Sequence, residues 1–162
     1  MNDYAVAGIQ EAIQAVEYTI AEMTVSQSIL LHEKVSQKFA DGKEYESLFW
    51  EAVGSQGFSV RDREAWKWLD EFLQGQQFLL FFEKTSTPIV YAFQEHQIVS
   101  KFLKECPIYV FYITNQNLDY LIYFNDSDYL RCIGTAEPWL QNKARELSQA
   151  GWRDRDERTF LP

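Results

Sequence analysis

Four short apolar runs narrow the possible folds of this chain more than anything else in it. They are Gln77-Phe-Leu-Leu-Phe-Phe82, Pro88-Ile-Val-Tyr-Ala-Phe93, Pro107-Ile-Tyr-Val-Phe-Tyr-Ile113 and Leu118-Asp-Tyr-Leu-Ile-Tyr-Phe124, and the tract from 78 to 129 holds half of the aromatic residues. Runs of this length, rich in β-branched and aromatic side chains and bounded by Pro, Asn and Asp, read as strands of one sheet. In the third run Ile108, Val110 and Tyr112 point one way and Tyr109, Phe111 and Ile113 the other. Both faces of that strand are apolar, so it belongs inside the sheet with both faces covered. A fifth strand is expected over 128–134, where Arg131 between Tyr129 and Ile133 suits an edge position.

Ahead of the sheet the spacing is helical. Val6, Ile9, Ile13, Val16, Ile20 and Met23 recur every three or four residues and predict an amphipathic helix of about five turns. A second helix is expected over 26–39, ended by Asp41-Gly42. A third is expected over 44–53, with Tyr45, Leu48, Phe49 and Ala52 on one side. Ser59 resembles the N-cap of a further helix running to Gly75, on which Trp66 and Trp68 lie about 200° apart and should differ in burial. A helix over 95–105 is inserted after the second strand and stopped by Pro107, and a last one spans 136–148 with Pro138 in its first turn. The fold predicted is α+β: N-terminal helices, then a mainly antiparallel sheet of about five strands with an inserted helix and a C-terminal helix. One domain of 162 residues is long enough to bury a core without staples.

Composition excludes several classes. No apolar run reaches the length of a membrane span, and the first residues lack a basic segment followed by an apolar one, so a cytoplasmic protein is expected. The net charge is −9, and residues 1–60 alone carry 9 acidic and 3 basic side chains. Nucleic acid is a poor partner for such a surface, because phosphate binding needs Lys and Arg to displace counterions. A basic protein is a better one.

Candidate chemistry is sparse. Cys106 and Cys132 have no His or Cys at ligand spacing, so they read as buried thiols and no metal or cofactor is implied. His32 and His96 each lack a placed partner for acid–base work. No nucleophile elbow and no glycine-rich phosphate loop is present. Asn125-Asp-Ser-Asp128 offers oxygen ligands but no central Gly and no distant Glu, and reads as a turn. Five tryptophans read mainly as core anchors, Trp152 beside the charged tail being the exception.

The tract Pro107-Ile-Tyr-Val-Phe-Tyr-Ile-Thr114, with Leu118-Asp-Tyr-Leu-Ile-Tyr-Phe-Asn125, Tyr129-Leu-Arg-Cys-Ile-Gly-Thr-Ala136 and Trp139-Leu140, resembles small acidic bacterial proteins of the kind that includes immunity proteins neutralising polymorphic toxins. The likeness covers about a third of the chain and rests on apolar strand positions plus one Gly, so it carries no site residue across. It implies a non-catalytic protein-binding function, with a basic toxin domain as the partner. From the residues themselves the expected partner face is acidic: Asp41 in the turn, with Glu44 and Glu51 seven residues apart on one helix. The competing expectations are a small enzyme using the turn carboxylates Asp119, Asp126 and Asp128, and a structural or adaptor domain.

Overall fold

A computed structural model of the chain describes residues 2–43, 48–107 and 110–155. Helix α1 (Asp3–Ala15) opens on Asn2, whose side-chain oxygen accepts the Tyr4 and Ala5 amides and so satisfies N–H groups that have no partner in the first turn. Strand β1 (Ala21–Glu22) follows, and then α2 (Val25–Phe39), which starts in a reciprocal capping box between Thr24 and Gln27. Next come α3 (Phe49–Val53), β2 (Phe58–Arg61), a 3-10 turn (Ala65–Trp68) and α4 (Leu69–Leu73). The sheet continues with β3 (Phe78–Phe81) and β4 (Tyr91–Phe93), then α5 (Val99–Glu105), β5 (Phe111–Thr114), β6 (Tyr120–Phe124) and β7 (Tyr129–Gly134). Helix α6 (Glu137–Gln149) comes last, with Pro138 in its first turn.

The fold is α+β. Its seven strands run in the order β1-β4-β3-β5-β6-β7-β2, and every pairing is antiparallel. Period-two alternation sorts the side chains into two cores. Phe78, Leu80, Phe93, Phe111, Ile113, Ile122 and Leu130 face α1, α4, α5 and α6, in one cluster with Ile9, Leu69, Phe102 and Leu140. Leu79, Phe81, Tyr112, Leu121 and Tyr123 face the other way, against Leu31, Val35 and Phe39 of α2 and Phe49 and Val53 of α3. Strand β5 is therefore covered on both faces, as its composition requires, although Val110 just before it is only half-buried.

Several boundaries differ from the sequence expectation. The sheet has two strands more than five, and both lie in the half that reads as helical. Helix α1 stops at Ala15, with Val16 extended at ψ 152°, so Ile20 and Met23 leave its face. The β-branched stretch beyond is drawn onto the sheet edge: β1 pairs with β4, Met23 N–H donates to Val90 O at 2.9 Å, and the Gln97 amide donates to Thr19 O at 2.7 Å. Ser59 is no N-cap. The alternation Phe58-Ser-Val60-Arg outweighs the cap signal because β7 offers a free edge, and β2 takes it. The chain turns at Asp62 instead, whose Oδ1 accepts the Glu64 amide at 2.8 Å and whose backbone O accepts the Ala65 amide at 3.0 Å.

Strand β7 is consequently interior, between β6 and β2, and the edges are β1 and β2. Trp66 and Trp68 are both half-buried, since the 3-10 turn and the packing of Trp68 on Trp152 (5.6 Å between centroids) replace the expected regular helix. The charged tail is tied down where it begins. Trp152 Nε1 donates to Asp62 at 2.7 Å, the Arg61 amide donates to Asp154 at 2.9 Å, and Arg155 N–H donates to Arg61 O at 3.0 Å.

Candidate functional site

One carboxylate lies inside the second core. Glu83 is 6% exposed and follows β3. Its two oxygens accept the Phe49 backbone N–H at 3.0 and 3.1 Å, and the Tyr112 hydroxyl donates to the same carboxylate. The Tyr112 oxygen in turn accepts the Trp50 amide at 3.0 Å. Burial raises the Glu83 carboxyl above the ordinary glutamate value, opposed by the Tyr112 and Phe49 hydrogen bonds. A five-residue helix is too short to hold itself in water. Here two of its initial amides are satisfied from the sheet, which fixes where Trp50 and Glu51 project.

They project over a groove of about 440 Å³ between α3 and the ends of β6, β7 and β2. On the opposite face of these strands Val60, Leu130 and Cys132 are fully buried, whereas Ser59, Arg61, Tyr129 and Arg131 are half-exposed. Helices therefore leave this corner of the sheet partly open. Arg131 is held by one side of its guanidinium: Nε donates to the Tyr123 hydroxyl at 3.0 Å and Nη1 to Gln56 O at 2.7 Å. A guanidinium has five N–H groups, so the rest remain to be offered to an acceptor in the groove. Arg61 lies with its guanidinium carbon 5.5 Å from the centre of the Tyr129 ring while its Nε donates to Ser127 O at 3.0 Å. Trp50 stands 6.4 Å from Tyr123, and its buried indole N–H meets no acceptor among the described residues. Burial raises the Tyr123 phenol, with Arg131 pulling it back.

The residues singled out from sequence scatter around this corner. Glu51 is exposed and lines the groove. Asp41 is exposed in a left-handed turn, φ 53°, just after α2. Glu44 lies outside the described residues, and the helix expected over 44–53 begins only at Phe49, because Leu48 before it is extended at ψ 134°. The turn carboxylates do not converge: Asp119 precedes β6 and Asp126 and Asp128 follow it, so the five-residue strand stands between them. Asp119 is bonded to Asn115 at 2.8 Å and Asp128 is paired with Arg155 at 3.4 Å. Asn125 is buried, and its side chain accepts the Ser127 and Tyr129 amides, which is turn chemistry.

His32 is buried on α2. It is 5% exposed, 5.0 Å from Phe81, bonded to Pro88 O at 3.1 Å, and pushed down by burial to about 4. His96 is exposed, and both cysteines are buried free thiols. Among the described residues no group of three or more His, Cys, Asp or Glu side chains could hold a metal ion.

Compared with known proteins, the chain matches no family model, no curated protein and no solved structure. Sequence reasoning missed Glu83, because a Glu after a strand looks like an ordinary end of that strand. It also took Arg131 as an edge marker. The available signal was period two in Tyr129-Leu-Arg131-Cys-Ile133, which puts the arginine on one face with a tyrosine.

Proposed function

We propose that this is a non-catalytic protein-binding protein, and that the groove beside α3 seats its partner. The observation that carries the reading is the make-up of the groove: Trp50, Tyr129 and a half-exposed Arg131 above the buried Tyr123, all held by packing or hydrogen bonds. Tryptophan, tyrosine and arginine supply most of the energy at protein interfaces, because each combines large apolar area with a directed polar group. Anchors that are already fixed lose little freedom on binding. Glu51 at the groove and Asp41 beyond α2 belong to the acidic surface of a chain of net charge −9. That charge steers a basic partner, while Arg131 donates to a carbonyl or carboxylate oxygen of it.

The resemblance to immunity proteins supplies the finer proposal, a bacterial toxin domain that this chain neutralises in the cytoplasm. Among the described residues no helix is long and apolar enough to cross a membrane. The test is to look for a toxin-like reading frame among the genes that flank this one and, where one is found, to co-express its toxic domain with this chain. The wild-type chain is expected to restore growth, and a folded Tyr129→Ala, Arg131→Glu variant to fail. Rescue by that variant as good as wild type removes the groove from the interface. Absence of any complex with the neighbouring product removes the immunity reading.

A further inference from the structure

On the opposite face of the sheet a second cavity, of about 500 Å³, opens between the 3-10 turn and α5. Its floor is apolar: Cys106, Phe111 and Phe124 are all buried, the two rings stacked with centroids 5.9 Å apart. Its mouth carries Arg63, Glu64, Lys104 and Asp128. Formally these cancel, but the acids are engaged elsewhere. Glu64 pairs with Lys67, and Asp128 pairs with Arg155 at 3.4 Å. Arg63 and Lys104 are exposed and have no ion-pair partner among the described residues. In a chain of net charge −9, the mouth of this apolar cavity thus carries two cations that form no ion pair among the described residues.

We propose that this cavity binds a small amphipathic carboxylate, with its hydrocarbon or aryl part on Phe111 and Phe124 and its carboxylate between Arg63 and Lys104. The volume falls within the range of small-molecule sites, which are largely apolar with a few placed polar groups. Burying the apolar part supplies affinity, and the guanidinium and ammonium supply the preference for an anion. A neutral alcohol of equal length keeps only the first contribution, and an amine meets like charge at the mouth.

The test is calorimetric titration of the full chain with octanoate, octanol and octylamine. Octanoate is expected to bind at one saturable site, about tenfold or more tighter than either other probe. The double variant Arg63→Gln, Lys104→Gln is expected to lose about tenfold of the octanoate affinity, on the energetics of two partly exposed ion pairs. Both side chains are exposed, so the thermal melt of the variant is expected to match wild type. Alkylation of Cys106 by iodoacetamide should slow in octanoate, because the thiol lies on the cavity floor. No saturable octanoate binding at millimolar concentration, or octylamine binding as tightly as octanoate, overturns the proposal. So does a variant that binds octanoate like wild type, or Cys106 alkylation that octanoate leaves unchanged.

Discussion

The Tyr112 hydroxyl donates to the Glu83 carboxylate inside the core while accepting the Trp50 amide at 3.0 Å, so a β5 phenol links the end of β3 to the first turn of α3. Removing the hydroxyl in Tyr112→Phe leaves a buried carboxylate with one donor fewer and a helix amide unsatisfied. The expected loss is about 1.5–3 kcal/mol, the range for hydrogen bonds to a charged group. Urea unfolding checks it, and a loss below about 0.5 kcal/mol would mean that the bond is not formed in solution.

Glu83 also sets a pH dependence. Its folded value is raised above the ~4.3 of an unfolded glutamate, so the native state holds the proton more tightly than the unfolded chain does. The associated stability is fully present below the unfolded value and is lost as pH rises through the folded one. The free energy of unfolding of wild type relative to Glu83→Gln is therefore expected to fall across that window. A difference that rises with pH there would be contrary to a raised carboxyl.

His32 acts in the opposite sense on acidification. Burial lowers it from 6.5 to about 4, so the folded state binds the proton more weakly than the unfolded chain does. Stability is expected to be full above 6.5 and to decline as pH falls through about 4, by on the order of 3 kcal/mol from this group. His32→Phe should flatten the fall between pH 6.5 and 4. Equal acid slopes for wild type and variant would show that His32 is not buried neutral.

Phe111 is 3% exposed and stacks on Phe124. Phe111→Ala is expected to cost roughly 3–5 kcal/mol as a large-to-small change in a packed interior. A measured cost under 1 kcal/mol would place this ring outside the core and undo the two-sided cover of β5.

Gly57 sits at φ +76°, and a Cβ there would stand 2.2 Å from the Cys132 carbonyl oxygen. Gly57→Ala is therefore expected to destabilise by more than about 1 kcal/mol, through both the left-handed backbone and the clash. Its neighbour Gln56 holds Arg131 by its carbonyl, so the same change should weaken partner binding beyond the loss of fold. Binding measured on the folded fraction separates the two, and unchanged affinity would detach the groove from this loop.

Charge reversal at Glu44 and Glu51 to Lys tests whether acidic side chains steer the encounter. Association with the proposed basic partner is expected to slow and its salt dependence to flatten, with little change in dissociation. Stopped-flow rates over a range of salt give the answer, and an unchanged slope would exclude these acids from the encounter.

Residue order alone determined much of this protein. The two-faced apolar run of β5, its hairpin with β6 and the alternation of β7 follow from strand periodicity, which is a local property. Helical spacing is equally local, and it marked α2 and, with Pro138 in its first turn, α6. Tertiary contacts decided the rest. Ala21 and Glu22 are both exposed, and become β1 only because β4 presents an open edge. Phe58–Arg61 carries a helix-cap signal that loses to the β7 edge, since pairing satisfies a row of backbone groups at once. The groove belongs to this second class. Glu83, Tyr112, Trp50 and Arg131 are far apart in the chain, and distant groups meet only when the sheet order has already brought their strands together.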